Sequence, residues 1–169
     1  MKILSLALLA CVLVYVASAQ SSGLLKVLKE TEKNVWQPGD IEIITSERAP
    51  KPIGSYSAGT KLHYGGFAII ETAGQIGLDP VTGQLVEGLE AQVEQAMKNL
   101  EALIVDNGGS LKKVLRTQLF LSDMANFQVV DKIYATYFTD HFPARAAVAV
   151  KDLPKYCYFE IMAEAVVQE

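Results

Sequence analysis

The stretch from Tyr156 to Val167 alternates like a strand, yet neither of its faces suits open water. Successive side chains of a strand point to opposite faces. One face would carry Cys157, Phe159, Ile161, Ala163, Ala165 and Val167, a surface suited to packing against helices. The other would carry Tyr156, Tyr158, Glu160, Met162, Glu164 and Val166, which is still largely apolar. Phe67, Ile69 and Glu71 alternate with Ala68, Ile70 and Thr72 in the same way. A half-solvated antiparallel sheet shows a clean apolar–polar alternation, and this sequence does not. If helices cover one face, another copy of the chain is the economical cover for the second. The pattern predicts a homo-oligomer.

Two helices are expected. Leu89, Val93, Met97, Leu100 and Ile104 form a stripe of helical period that Asn107-Gly108-Gly109 ends. A second helix, from about Ala125 to Phe138, gathers Phe127, Val130, Tyr134 and Tyr137 or Phe138 on one face. Strands fit Ile41 to Thr45, Thr60 to Tyr64 and Phe67 to Ala73, the last two joined through Gly65-Gly66. Asp79-Pro80-Val81-Thr82-Gly83 is a turn. Val114 to Leu121 and Arg145 to Val150 complete the strands, with a turn at Lys151-Asp152-Leu153-Pro154 before the final one. The order β–β–β–α–β–α–β–β predicts an α+β domain, a mixed sheet with both helices on one face.

At the amino end, Lys2 precedes an apolar run from Ile3 to Val16, and Ala17-Ser18-Ala19 supplies a small-x-small pattern. A spanning helix wants about twenty apolar residues, and Gln20-Ser21-Ser22 comes too early for one. Residues 1–19 therefore read as a cleaved secretory signal, which places the chain outside the cell or in the endomembrane lumen, with no stable membrane span in the mature protein. An uncleaved anchor is the alternative. Residues 20–40 form an extension, where Leu24, Leu25, Val27 and Leu28 suggest apolar helical turns and Trp36-Gln37-Pro38-Gly39 a turn. Residues 41–169 are the domain.

Removing Lys2 with the leader leaves 14 of the 15 Lys and Arg against 19 Asp and Glu, a balance of −5. That balance disfavours nucleic acid as a partner. Cys11 leaves with the leader, so Cys157 has no internal disulfide partner. His63, His141 and one Cys are too few for a conventional zinc site, and no metal is expected.

Two charges interrupt the apolar strands. Arg145 heads the Ala- and Val-rich run Ala144 to Val150, and Glu160 sits within Tyr158-Phe159-Glu160-Ile161. Burying an unpaired ion costs several kcal/mol. On strands expected to pair as a hairpin, the two charges suggest a small site. Arginine grips a carboxylate at two points, and glutamate handles a proton. The alternative is a structural ion pair of Arg145 with Glu160 or Glu164.

Four segments then occur in order: Ala49-Pro50-x-x-Ile53-Gly54-x-Tyr56, Gly74-Gln75-Ile76-Gly77-x-Asp79-Pro80, Phe142-Pro143-Ala144-Arg145, and Leu153-Pro154-Lys155 followed by Glu160-Ile161. Together they resemble the signature of the RidA/YjgF family, the reactive intermediate (enamine/imine) deaminases, over about residues 41–169. The resemblance implies a chorismate-mutase-like fold and a homotrimer with three sites in the clefts between subunits. It implies hydrolysis of 2-imino acids, such as 2-iminobutanoate and 2-iminopropanoate, to 2-oxo acids and ammonia without a cofactor. It makes Arg145 the residue that binds the substrate carboxylate and Glu160 the one that positions or activates water. It also gives Tyr56 a place in the pocket wall, the Gly74 amide a contact with the ligand carboxylate, and the Ala147 carbonyl a contact with the water. From the residues alone, Tyr56 reads equally as aromatic packing and Gly74 equally as a strand bulge; Phe127 and Phe142 read as walls of the cleft or, more readily, as core.

The sequence also departs from that signature. Ala73 replaces a common Ser, Ala147 a common Cys, Asp131 a common Asn and Met162 a common second Glu. A non-catalytic binder of small carboxylates and a chaperone-like secreted trimer stay open as alternatives.

Overall fold

The last strand, β7 (Phe159–Gln168), organises the fold because every other layer packs on it or beside it. In this computed structural model, which describes residues 36–169, Gln37–Glu169 form one compact unit. The leader at 1–19 and the apolar turns at residues 24–28 lie outside the described residues.

The remaining strands are β1 (Ile41–Ile44), β2 (Gly59–His63), β3 (Phe67–Thr72), β4 (Gln75–Ile76), β5 (Val114–Leu121) and β6 (Ala144–Ala149). They lie in the order β1-β2-β3-β7-β5-β6, with β4 paired to β7 beyond the end of β3. Gly65 and Gly66 close the β2–β3 hairpin at φ +74° and +104°, the double left-handed pair that a two-residue turn requires. Only β5 and β6 run parallel among the described strands. Such a pair needs a crossover, supplied by α2 (Phe127–Tyr137).

Helix α1 (Leu89–Asp106) and α2 cover one face of the sheet, as the sequence pattern predicts. Val93, Met97, Leu100 and Ile104 of α1 and Val130 and Tyr134 of α2 share one buried cluster with Phe159, Ile161, Ala163 and Ala165 of β7. At the far end of β7, His63 is fully buried, with Nδ1 2.7 Å from Glu169 Oε1 and Nε2 3.3 Å from Glu42 Oε2, so the carboxyl end is strapped to β2 and β1.

The other face carries no helix among the described residues. Ile41 and Ile43 are 62% and 58% exposed there, and Val148 on the β6 edge is 48% exposed.

Three expectations need correction. The last strand begins at Phe159 rather than Tyr156. Pro154–Tyr156 form a 3₁₀ turn in which Lys155 and Tyr156 adopt φ of 55° and 57°, leaving Tyr156 86% exposed. The short strand β4 is additional. Finally, β6 and β7 do not form a hairpin, because β5 lies between them. Consecutive strands usually neighbour each other, but the right of way here goes to the α2 crossover, which carries β6 to the outer edge of β5.

Candidate active site

A slip in strand pairing opens a cleft beside Glu160. From Glu71 opposite Glu164 to Gln75 opposite Ile161, four steps along β3 and β4 answer three along β7. The surplus residue falls at Ala73-Gly74, a bulge-like interruption that ends the ladder locally. The cleft it leaves measures about 410 Å³ and is walled by Ile53, Tyr56, Ile76, Leu78, Pro154 and Met162, with Glu160 and Gly74 within it.

Glu160 is half-buried, and desolvation raises its carboxyl above the ordinary value of 4.5. A Cβ on Gly74 would collide with Glu160 Oε1. Gly74 is thus both the bulge position and the residue whose missing side chain seats the carboxylate. Tyr56 lines the cleft as the resemblance implies, and its hydroxyl also accepts the Ile53 N–H at 3.1 Å, closing its own loop.

The walls are held by polar residues on the buried face of α1. Asn99, fully buried, donates from Nδ2 to the carbonyls of Ile76 at 3.0 Å and Leu78 at 2.9 Å. Gln92 donates to the Val86 carbonyl at 3.0 Å and accepts the Tyr158 N–H at 2.9 Å. A Cβ on Gly77 would lie 2.6 Å from Gln92 Cα, so a glycine lets the β4 segment close on the helix. Sequence reading missed these anchors, although two amides beside an apolar stripe were the visible signal. Replacing Asn99 by alanine strands the Leu78 carbonyl and leaves the Ile76 carbonyl only the Leu78 N–H at 2.8 Å, and urea denaturation should show a loss of about 1–3 kcal/mol.

Arg145 lies elsewhere. It sits on β6 opposite Thr117, which in turn lies opposite Ala163 of β7. Thr117 bonds the Tyr134 hydroxyl of α2 at 2.9 Å, so this row faces the helices. Glu160 shares its face with Ile76 and Phe120, the opposite one. Two strand spacings and three residues of offset put the two Cα atoms roughly 14 Å apart, with side chains on opposite faces. A single chain does not bring Arg145 and Glu160 together.

The guanidinium has its own surroundings. Arg145 Nη1 lies 2.6 Å from Asp131 Oδ1, and its central carbon stands 4.8 Å from the Tyr134 ring centroid and 5.3 Å from that of Phe127. The ion-pair partner is Asp131 rather than Glu160 or Glu164; Glu164 instead lies 3.4 Å from Arg116. Ala147 follows Arg145 on β6, half-buried against the core and separated from Glu160 in the same way. Phe127 packs partly into the core, whereas Phe142, read as core, is 66% exposed. Its position just before the exposed edge strand leaves it outside the helix-covered cluster.

Known proteins resemble this chain in sequence and in fold. A family model described as endoribonuclease L-PSP matches residues 46–167. The chain belongs to this family, known also as RidA/YjgF. A RutC family protein of Pyrococcus horikoshii is 43% identical over 73% of this chain and 96% of its own. The rat protein named 2-iminobutanoate/2-iminopropanoate deaminase is 40% identical over 74% of this chain and 89% of its own. Among solved RidA/YjgF structures, the yjgF gene product of E. coli superposes with a TM-score of 0.67 at 36% identity, covering 74% of this chain and 98% of that one. The α+β architecture is the family's fold.

Proposed function

We propose that the protein hydrolyses 2-imino acids, such as 2-iminobutanoate and 2-iminopropanoate, to 2-oxo acids and ammonia, at sites shared between subunits of a homotrimer. The observation that carries this reading is the division of the chemistry. Among the described residues, a half-buried carboxylate stands in a cleft that no guanidinium lines, and a stacked guanidinium stands on the edge strand β6, outside that cleft. Relatives at about 40% identity named for this deaminase support it.

In the proposed site, the neighbour's Arg145 holds the substrate carboxylate. Glu160 takes a proton from water as the oxygen bonds to the carbon of the protonated imine, giving a neutral tetrahedral carbinolamine. The protonated Glu160 then returns that proton to nitrogen and, as the C–N bond breaks, takes the hydroxyl proton so that the carbonyl forms; ammonia carries this second proton away as ammonium and restores the carboxylate. The imine carbon is already electrophilic, so one positioned base suffices. Generating 2-iminobutanoate in situ with an amino-acid oxidase and following the 2-oxo acid tests the reaction; a rate equal to the uncatalysed one overturns it.

The uncovered sheet face and the exposed Ala-Val edge of β6 support self-association, since such an edge otherwise templates uncontrolled pairing. Light scattering after size exclusion should give about three times the chain mass, by closed three-fold symmetry. A stable monomer at micromolar concentration overturns the shared site.

Ribonuclease chemistry, the other activity named for the family, finds little support in the side chains. His63 is buried between carboxylates and His141 lies beside the Val114 carbonyl at 3.3 Å, so neither histidine lines the Glu160 cleft. The leader reading adds export to the proposal. Intact-mass analysis from a secreting host should find Gln20 at the amino end; a membrane-bound chain retaining residues 1–19 contradicts it.

A further inference from the structure

We infer that the cleft selects 2-imino acids with bulky apolar side chains, of the size derived from leucine or methionine, over the methyl and ethyl members of the class. This rests on the reading of the cleft as an imino-acid site and names what that site accepts.

The polar groups of the cleft are gathered in one place. Glu160 lies against Gly74, and Gln75 turns inward with its Nε2 bonded to the Ala73 carbonyl at 3.1 Å. The remaining wall is aliphatic or aromatic: Ile53, the Tyr56 ring, Ile76, Leu78, Pro154 and Met162. Among the described residues, the one cation of the lining, Lys51, belongs to an exposed loop. A methyl or ethyl group leaves most of that apolar wall uncovered, whereas a branched or thioether chain covers more of it.

Two departures from the family signature act in the same direction. Ala73 presents a methyl group where a hydroxyl is common, and Met162 presents a thioether where a second carboxylate is common. Both line this cleft, and each removes a group that would hold water or repel an apolar chain. Methionine is also unbranched and adaptable, so it can follow side chains of different shape.

The test uses the intact protein in its native assembly. Imines generated from leucine, methionine and 2-aminobutyrate by an amino-acid oxidase are supplied to wild type and to Met162→Glu, and kcat/KM is compared. Calorimetry in parallel measures binding of 4-methyl-2-oxopentanoate and of 2-oxobutanoate. Each added methylene in an apolar pocket is worth about tenfold or more, so wild type should prefer the leucine-derived imine and the branched 2-oxo acid by at least about tenfold. Met162→Glu should bring both ratios close to one by weakening the larger ligand. Ratios near one in wild type, or unchanged ratios in Met162→Glu, overturn the inference even if turnover is fast. Preferential binding of the branched acid with no turnover of any imine leaves the inference standing and overturns the enzymatic reading instead.

Discussion

Replacing Arg145 by alanine should lower kcat/KM for 2-imino acids by about two orders of magnitude or more, roughly 3 kcal/mol, without preventing the chain from folding. The guanidinium is held flat by the Tyr134 and Phe127 rings and anchored through Nη1 to Asp131. That contact uses one nitrogen and leaves Nε and Nη2 for a carboxylate. Arg145→Lys keeps the charge but loses both the stacking and the two-point grip, so it should be nearly as damaging as alanine. A purely structural brace between α2 and β6 predicts the reverse: lower melting temperatures for both variants and intact activity in the folded protein. Steady-state kinetics alongside thermal melts separate the two.

Glu160→Gln should reduce kcat by about a hundredfold or more while largely sparing carboxylate binding, because it keeps the shape beside Gly74 and removes the base. The acid limb of the pH profile supplies a second readout. Below the Glu160 pKa the carboxyl is protonated and accepts nothing; above it the base is present, so activity rises with pH. Burial within the chain raises the Glu160 carboxyl above the ordinary 4.5, the neighbour's Arg145 opposes that shift, and Glu160→Gln should abolish the limb. A glutamine variant with wild-type kcat, or one that retains the same acid limb, removes Glu160 from the reaction.

The sequence is informative wherever structure is set by near neighbours. The α1 stripe from Leu89 to Ile104 and the strand at Val114–Leu121 follow from local periodicity, and both occur as read. The double apolar character of β7 shows correctly that one face takes the helices. Non-local pairing is another matter. Nothing around Arg145 or Glu160 announces that β5 will separate their strands, since that depends on the α2 crossover. β4 is too short for any period to show. The Asp131–Arg145 pair joins a helix to a strand 14 positions later, a spacing with no local signature. Asn99 and Gln92 look like exposed helix residues until β4 and the Val86 carbonyl arrive to meet them. The residues of the proposed site were therefore legible, and their geometry was not.

The shared site is tested most directly by mixing its two damaged halves. Arg145→Ala and Glu160→Gln, each inactive alone, are co-refolded or co-expressed in equal amounts. A trimer containing both variants has one junction where an intact Arg145 from one subunit meets an intact Glu160 from the next. With random assembly, three-fold symmetry predicts recovery of roughly a quarter of wild-type activity. If both residues act within one chain, no mixed assembly contains an intact site, and mixtures as inactive as their components contradict the account.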